Sequence, residues 1–419
     1  MIPGDIGTEL ARVLQDLVAA GELPAQAAGL SSAGTWRPAP AQAGGGPGTY
    51  ATSLPLALAH QTGRAAVPVA DLLAAALAGV PWIGSARATG AGYLTVTVTA
   101  ARLAGLPARI AGSRPRAAGS GPRAAGSGPR VASAPHAAAS SALAGARLTA
   151  PRLPDPATAP DWDQAWRTQR DALAGRLAQA AGADVLFFDS QREPTAEPTT
   201  QASAGETPVT AADISSRSAA QARMGPVPEA AAQHGSAAQA GLGPVAAAVA
   251  QHGSDAVRYA LARTSAPPGG AISRQLGLAL DLANPFVVVR YAHADAASVR
   301  RGATDLGLAP EKHADQPGRV PNLRPAELAL VETMSWLPER VAAAARRHRP
   351  AELAAYLESL AEAWLECAEN CPALPFRGRS APAALAREQI ATRLVVADAA
   401  RVALAAGLAL LGISAPLRM

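Results

Sequence analysis

Apolar residues at helical spacing open the chain: Leu10, Val13, Leu14 and Leu17 fall on one face, which predicts a helix. A second helical stretch is expected from Leu54 through Leu77. Residues 31–48 between them are rich in Ser, Gly, Ala and Pro and read as a loop. Past Trp82-Ile83-Gly84-Ser85-Ala86-Arg87 and the break at Gly90-Ala91-Gly92, Leu94, Val96 and Val98 alternate with polar neighbours, the period of a half-buried strand. Residues 1–100 are therefore expected to form a small α+β domain. From residue 245 onward the period is helical throughout. Asn284 precedes Pro285 as a capping residue precedes a first-turn proline, and Phe286, Val287, Val288 and Tyr291 carry that helix toward Arg301. Leu353, Leu357, Leu360, Trp364 and Cys367 form one long apolar stripe, opened by Pro350 and closed by Pro372. A last helix is expected after Ser380-Ala381-Pro382, apolar through Leu394, Val402 and Leu408, with Gly412 where a left-handed cap belongs. Residues 245–419 thus read as an all-α antiparallel helix bundle.

Between these regions, in residues 101–244, the pattern mostly lapses. Residues 101–154 hold eight arginines and no acid, and Arg116 to Pro122 is repeated as Arg123 to Pro129. So little apolar surface cannot offset the entropy of ordering, and a largely disordered central tether is expected. It is either a basic arm drawn to RNA phosphates or a linker kept solvated by its charge. Within it an ordered island, 161–189, has one amphipathic helix from Asp161-Trp162 through Leu173 and Leu177, and one strand at Ala183 to Phe188. Gly225 to Ser236 recurs as Gly243 to Ser254, so the paired His234 and His252 reflect duplication and are not read as a metal site.

Charge adds modestly to this picture. Residues 1–100 carry four Arg against five acids, residues 101–244 fourteen Arg against eleven, and residues 245–419 eighteen Arg plus Lys312 against sixteen. The net +5 thus lies outside the first domain and permits a polyanionic partner without demanding one. Cys367 and Cys371 share a helix face without further ligands and read as packing residues; no metal site is expected. The first residues lack a basic start and an apolar core, and no apolar run is long enough to span a bilayer, so a cytoplasmic protein without membrane contact is expected.

Four ordered segments carry a family resemblance. Asp255-Ala256-Val257-Arg258-Tyr259-Ala260-Leu261, Asn284-Pro285 with Val289-Arg290-Tyr291-Ala292-His293-Ala294, Asn370-Cys371-Pro372-Ala373-Leu374, and the closing run from Thr392 to Met419 resemble the anticodon-binding domain of arginyl-tRNA synthetases. Tyr50 to Ala59, Gly63-Arg64 and Gly90 to Leu94 resemble the same family's N-terminal domain. The resemblance implies tRNA as partner and a surface made by Tyr291, His293, Ser298, Arg301, Arg418 and Met419. Unpaired bases would stack on Tyr291 or His293 and phosphates would pair with Arg301. Tyr291 can equally be a core tyrosine, and Arg346, Arg347, His348 and Arg349 can serve a helix end or an RNA patch. Where the family has Arg after His-Ala this chain has Asp295, a carboxylate expected to repel phosphate.

The family's catalytic domain belongs between the two matching ends. No histidine of this chain stands in an H-x-G-H frame, and the sole lysine, Lys312, lies out of frame for the loop that steadies the α-phosphate. No ATP site and no cofactor are expected, and no catalytic residue is assigned. The expectation is a non-catalytic tRNA-binding protein, most naturally for arginine tRNA. Two other readings stay open: an arginine-tRNA ligase completed by a partner chain, and a protein-interaction module that has lost RNA binding.

Overall fold

The computed structural model describes residues 2–29, 36–40, 45–112, 143, 146–188, 242–266, 283–308, 322–374 and 387–419. Helix α1 (Ile2–Ala19) buries Ile2, Ile6, Leu10, Val13, Leu14 and Leu17, the stripe that the spacing predicts plus an extra turn before it. Strands β1 (Trp36–Pro38) and β2 (Thr49–Thr52), helices α2 (Leu54–Thr62) and α3 (Ala66–Leu77), and strands β3 (Ile83–Thr89) and β4 (Tyr93–Val98) follow. The four strands form an antiparallel sheet in the order β1-β2-β4-β3. The expected loop at 31–48 therefore contains a strand: Trp36 is buried and lies opposite Thr52. Three residues are too few to show an alternation, and Pro38 is tolerated because β1 is an edge. The helical stretch from Leu54 to Leu77 is two helices, divided at Gly63, whose φ of 66° closes α2 in the left-handed region.

The expected tether begins later than the composition suggests. Helices α4 (Ala100–Ala104) and α5 (Leu106–Gly112) continue the first domain, and the Thr99 hydroxyl caps α4 by accepting the Arg102 N–H at 3.3 Å. Leu103, Leu106 and Ile110 are buried, and Arg102 and Arg109 both reach Asp5, at 2.6 and 3.2 Å. Three apolar anchors at helical spacing are enough, although Ala and Gly around them hide the pattern. The tandem repeat at 116–129 lies outside the described residues, as do His234, Lys312 and the expected start of the last helix.

The island is larger than expected, beginning before residue 161. Strand β5 (Arg147–Pro151), helix α6 (Trp162–Ala180) and strand β6 (Asp184–Phe188) form a βαβ unit whose two strands pair in parallel from Arg147 opposite Asp184 to Pro151 opposite Phe188. A lone helix and strand are what the sequence suggests; β5 escapes notice because its Arg, Ala and Pro carry no strand alternation.

The remainder is helical: α7 (Pro244–His252), α8 (Ser254–Arg263), α9 (Pro285–Asp305), α10 (Pro325–Ser335), α11 (Leu337–Arg346), α12 (Pro350–Asn370) and α13 (Arg387–Leu410). The stripe Leu353, Leu357, Leu360, Trp364 and Cys367 is buried along α12, and both cysteines are free and buried. Beyond α13, Gly412 has a φ of 72°, and the Ile413 N–H closes onto the Leu408 carbonyl at 3.0 Å, the expected left-handed end. The first domain does not stand apart from this bundle. Helix α5 packs on α13, Tyr50 is wholly buried against Trp336 with ring centroids 5.4 Å apart, and one apolar core runs from Ile2 to Ile413. The Ser335 hydroxyl donates to the Glu332 carbonyl, so the 3.2 Å contact between Tyr50 and Ser335 has the tyrosine as donor. The two ends are thus docked on each other, a contact that the expected tether between them did not foretell.

Candidate nucleic-acid interface

Helix α9 starts where Asn284 predicts, its Oδ1 accepting the Phe286 N–H at 3.1 Å with Pro285 in the first turn. Phe286, Val287, Val289, Ala292 and Ala296 face the core, leaving Tyr291 on the outer side at 40% exposure. Of the two readings for Tyr291, the core tyrosine is therefore ruled out: a ring is presented to solvent.

The last residues lie along this helix. His293 is 1% exposed, and its Nδ1 lies 2.8 Å from the Pro416 carbonyl. A carbonyl only accepts, so Nδ1 carries a proton; burial holds the ring's pKa below the ordinary value, opposed by the bond to Pro416 and helped to a lesser extent by the charge of Arg401. Arg301 donates to the Leu417 carbonyl at 2.6 Å. At the start of the tail, Asp255 accepts the Ser414 N–H at 3.0 Å and the Ser414 hydroxyl. These three attachments leave Leu417, Arg418 and Met419 exposed beside α9.

The six residues singled out thus fall into different roles. Tyr291, Arg418 and Met419 face solvent and are available to a ligand. His293 is not: stacking a base on it would require expelling a buried ring, so its role is corrected to holding the tail. Arg301 spends one N–H on the tail, and the half-buried Ser298 donates to the Asp295 carbonyl of its own helix at 2.8 Å. Asp295 itself is turned away from the outer face. Its Oδ2 accepts the Trp364 indole N–H of α12 at 3.1 Å; burial pushes its carboxyl up and that bond pulls it back down. The expected repulsion of phosphate by this carboxylate is replaced by a bond between helices.

Sequence reasoning found the segment Asp255 to Leu261 without assigning work to its residues. Asp255 holds the tail, Arg258 reaches the Gly412 and Pro154 carbonyls, both at 3.3 Å, and the Tyr259 hydroxyl donates to Glu358 at 2.9 Å. From α6, Arg176 donates to the Leu410 and Ala409 carbonyls at 3.2 and 2.7 Å. Two guanidiniums therefore occupy the negative end of the α13 dipole and satisfy carbonyls that the helix leaves open. Deeper in the bundle, Arg393 and Glu327 form a buried pair at 3.1 Å, with side chains 6% and 3% exposed; Arg393 also donates to the Pro372 carbonyl at 2.7 Å and Glu327 accepts the Arg324 N–H at 2.7 Å. Nearby, Cys367 has its thiol pushed up to about 12 by burial, which makes it a packing group and not a nucleophile at neutral pH. No group of three or more His, Cys, Asp or Glu among the described residues could hold a metal ion, and no described helix is long and apolar enough to cross a membrane.

Residues 289–419 match the model of the DALR anticodon binding domain. The chain is 37% identical over 172 residues to an arginine-tRNA ligase of Frankia alni, covering 39% of this chain and 29% of that protein. It is 37% identical over 175 residues to an arginine-tRNA ligase of Clavibacter sepedonicus, covering 39% and 28%. The matches thus span less than a third of those relatives. The solved arginyl-tRNA synthetase of Thermus thermophilus superposes with a TM-score of 0.58 at 14% identity, covering 100% of both chains, which is a likeness of fold. Residues 289–419, which carry Tyr291, Arg418 and Met419, are thus similar to the DALR anticodon binding domain, and about two fifths of the chain is similar to part of the arginine-tRNA ligases.

Proposed function

We propose that this protein binds tRNA, arginine tRNA as the cognate species, and does not itself charge it. The observation that carries the binding half is the exposed Tyr291 on α9 beside a tail that His293, Arg301 and Asp255 hold so that Arg418 and Met419 reach solvent. An exposed aromatic ring suits an unpaired base and an exposed cation suits phosphate, each stack contributing about 1–3 kcal/mol.

The catalytic half rests on chemistry the sequence does not supply. Class I charging needs paired imidazoles and a lysine loop on the triphosphate, and this chain has neither an H-x-G-H frame nor a lysine other than Lys312. The βαβ unit offers no substitute cradle. A nucleotide-binding crossover places a glycine-rich turn and a helix N-terminus against the phosphates. Here the β5-α6 connection starts Arg152-Leu153-Pro154-Asp155-Pro156, and Asp161 caps α6, its carboxylate accepting the Gln164 N–H at 2.7 Å with Asp163 in the first turn. Those carboxylates repel a phosphate at the place where one would be held.

The test combines two measurements on the full chain. Anisotropy with arginine tRNA should report salt-sensitive binding that Tyr291→Ala weakens about tenfold, and arginine-dependent ATP-pyrophosphate exchange should be absent. Exchange by the pure protein would overturn the second half, and equal affinity for tRNA and unrelated polyanions the first.

A further inference from the structure

Resting on the tRNA reading, we infer that the turn between α11 and α12, Arg346-Arg347-His348-Arg349, is a second contact for RNA phosphates, separate from the face of α9 and the tail. All four side chains are exposed. Arg347 is paired with Glu352 at 2.9 Å, but the side chains of Arg346, His348 and Arg349 make no hydrogen bond or ion pair among the described residues. Their charge is not needed to finish the helix. The last carbonyls of α11 are already closed by backbone, with the Arg347, His348 and Arg349 N–H groups on Ala343, Ala345 and Ala344 at 3.1, 3.1 and 2.9 Å.

A second observation concerns His348. Its φ of 53° makes it the only non-glycine residue with positive φ among the described residues. Glycine meets that demand without strain, so a side chain kept there works against the fold. Mutual repulsion of neighbouring guanidiniums adds to the cost. A polyanion relieves the repulsion by neutralising the cluster and releases its own counterions in doing so. The partner is RNA and not a lipid surface because membrane-docking segments combine cations with exposed apolar anchors. No large apolar side chain is exposed anywhere on α10, α11 or α12.

The experiment uses the whole chain and arginine tRNA across a salt series. The double variant Arg346→Ala/Arg349→Ala should keep its circular dichroism while the slope of log K against log salt becomes shallower by about 2, with about tenfold weaker binding at low salt. His348→Gly should melt about 2 °C higher yet bind about twofold more weakly, a combination that a merely structural turn does not give. Unchanged slope and affinity in both variants overturns this inference and leaves the tRNA reading standing. No binding of tRNA by the unaltered protein removes both. Adsorption to phosphatidylserine vesicles that the double variant loses, at unchanged tRNA affinity, would assign the turn to a membrane and overturn it as well.

Discussion

Glu332 lies one helical turn before Ser335, close enough to Tyr50 for its charge to act on that hydroxyl, and burial alone pushes its carboxyl up from 4.5 to about 7. Raised above the unfolded value, this group disfavours the folded state once ionised. Its contribution is therefore complete below about pH 4.5, declines as pH rises toward 7, and is absent above. Glu332→Gln should leave stability unchanged at pH 4 and raise it at pH 8 by about 1 kcal/mol, a figure already reduced for solvent screening. Urea unfolding at the two pH values checks this, and equal midpoints at pH 8 would refute it. Other residues divide by how local their partners are. Asn284 was readable as a cap because its acceptor bond closes within two residues. His293 was not, because the carbonyl that claims its ring lies 123 residues away. Asp295 was misjudged likewise: its partner Trp364 is on another helix.

At the scale of elements, the long apolar stripes were legible and the short or Ala-rich pieces were not. The stripe of α12 needed only its spacing, whereas β1, β5 and α5 draw their order from neighbours that no local pattern names. Helix α13 illustrates how such neighbours bind a bundle together. Asp398 on it receives Arg300 from α9 at 3.1 Å and Arg401 from the next turn at 2.8 Å, while Arg393 joins it to Glu327 of α10. Breaking a buried pair from one side strands the other charge, so Arg393→Ala should cost about 3 kcal/mol in urea unfolding. Arg393→Met combined with Glu327→Leu should recover most of that loss, because neither charge is left behind. Failure of the double variant to recover would mean that the Pro372 carbonyl or the Arg324 N–H carries the effect instead.

Across the whole molecule, the decisive fact is that the first domain and the bundle share a core. Tyr50 is the joint: its ring meets Trp336 and its hydroxyl donates to Ser335. The sequence showed both ends yet left them apart, since composition between them describes chain stiffness and not docking. Tyr50→Ala should cost about 3 kcal/mol and split one cooperative thermal transition into two. Calorimetry that already resolves two transitions in the unaltered protein would contradict a shared core. The same architecture imposes an order in time. Because α5 and α6 both close onto α13, neither can cover its greasy side until the stretch from Arg387 onward has left the ribosome. A chain interrupted before that stretch would keep these apolar faces open, which favours association with other chains until the last helix is present.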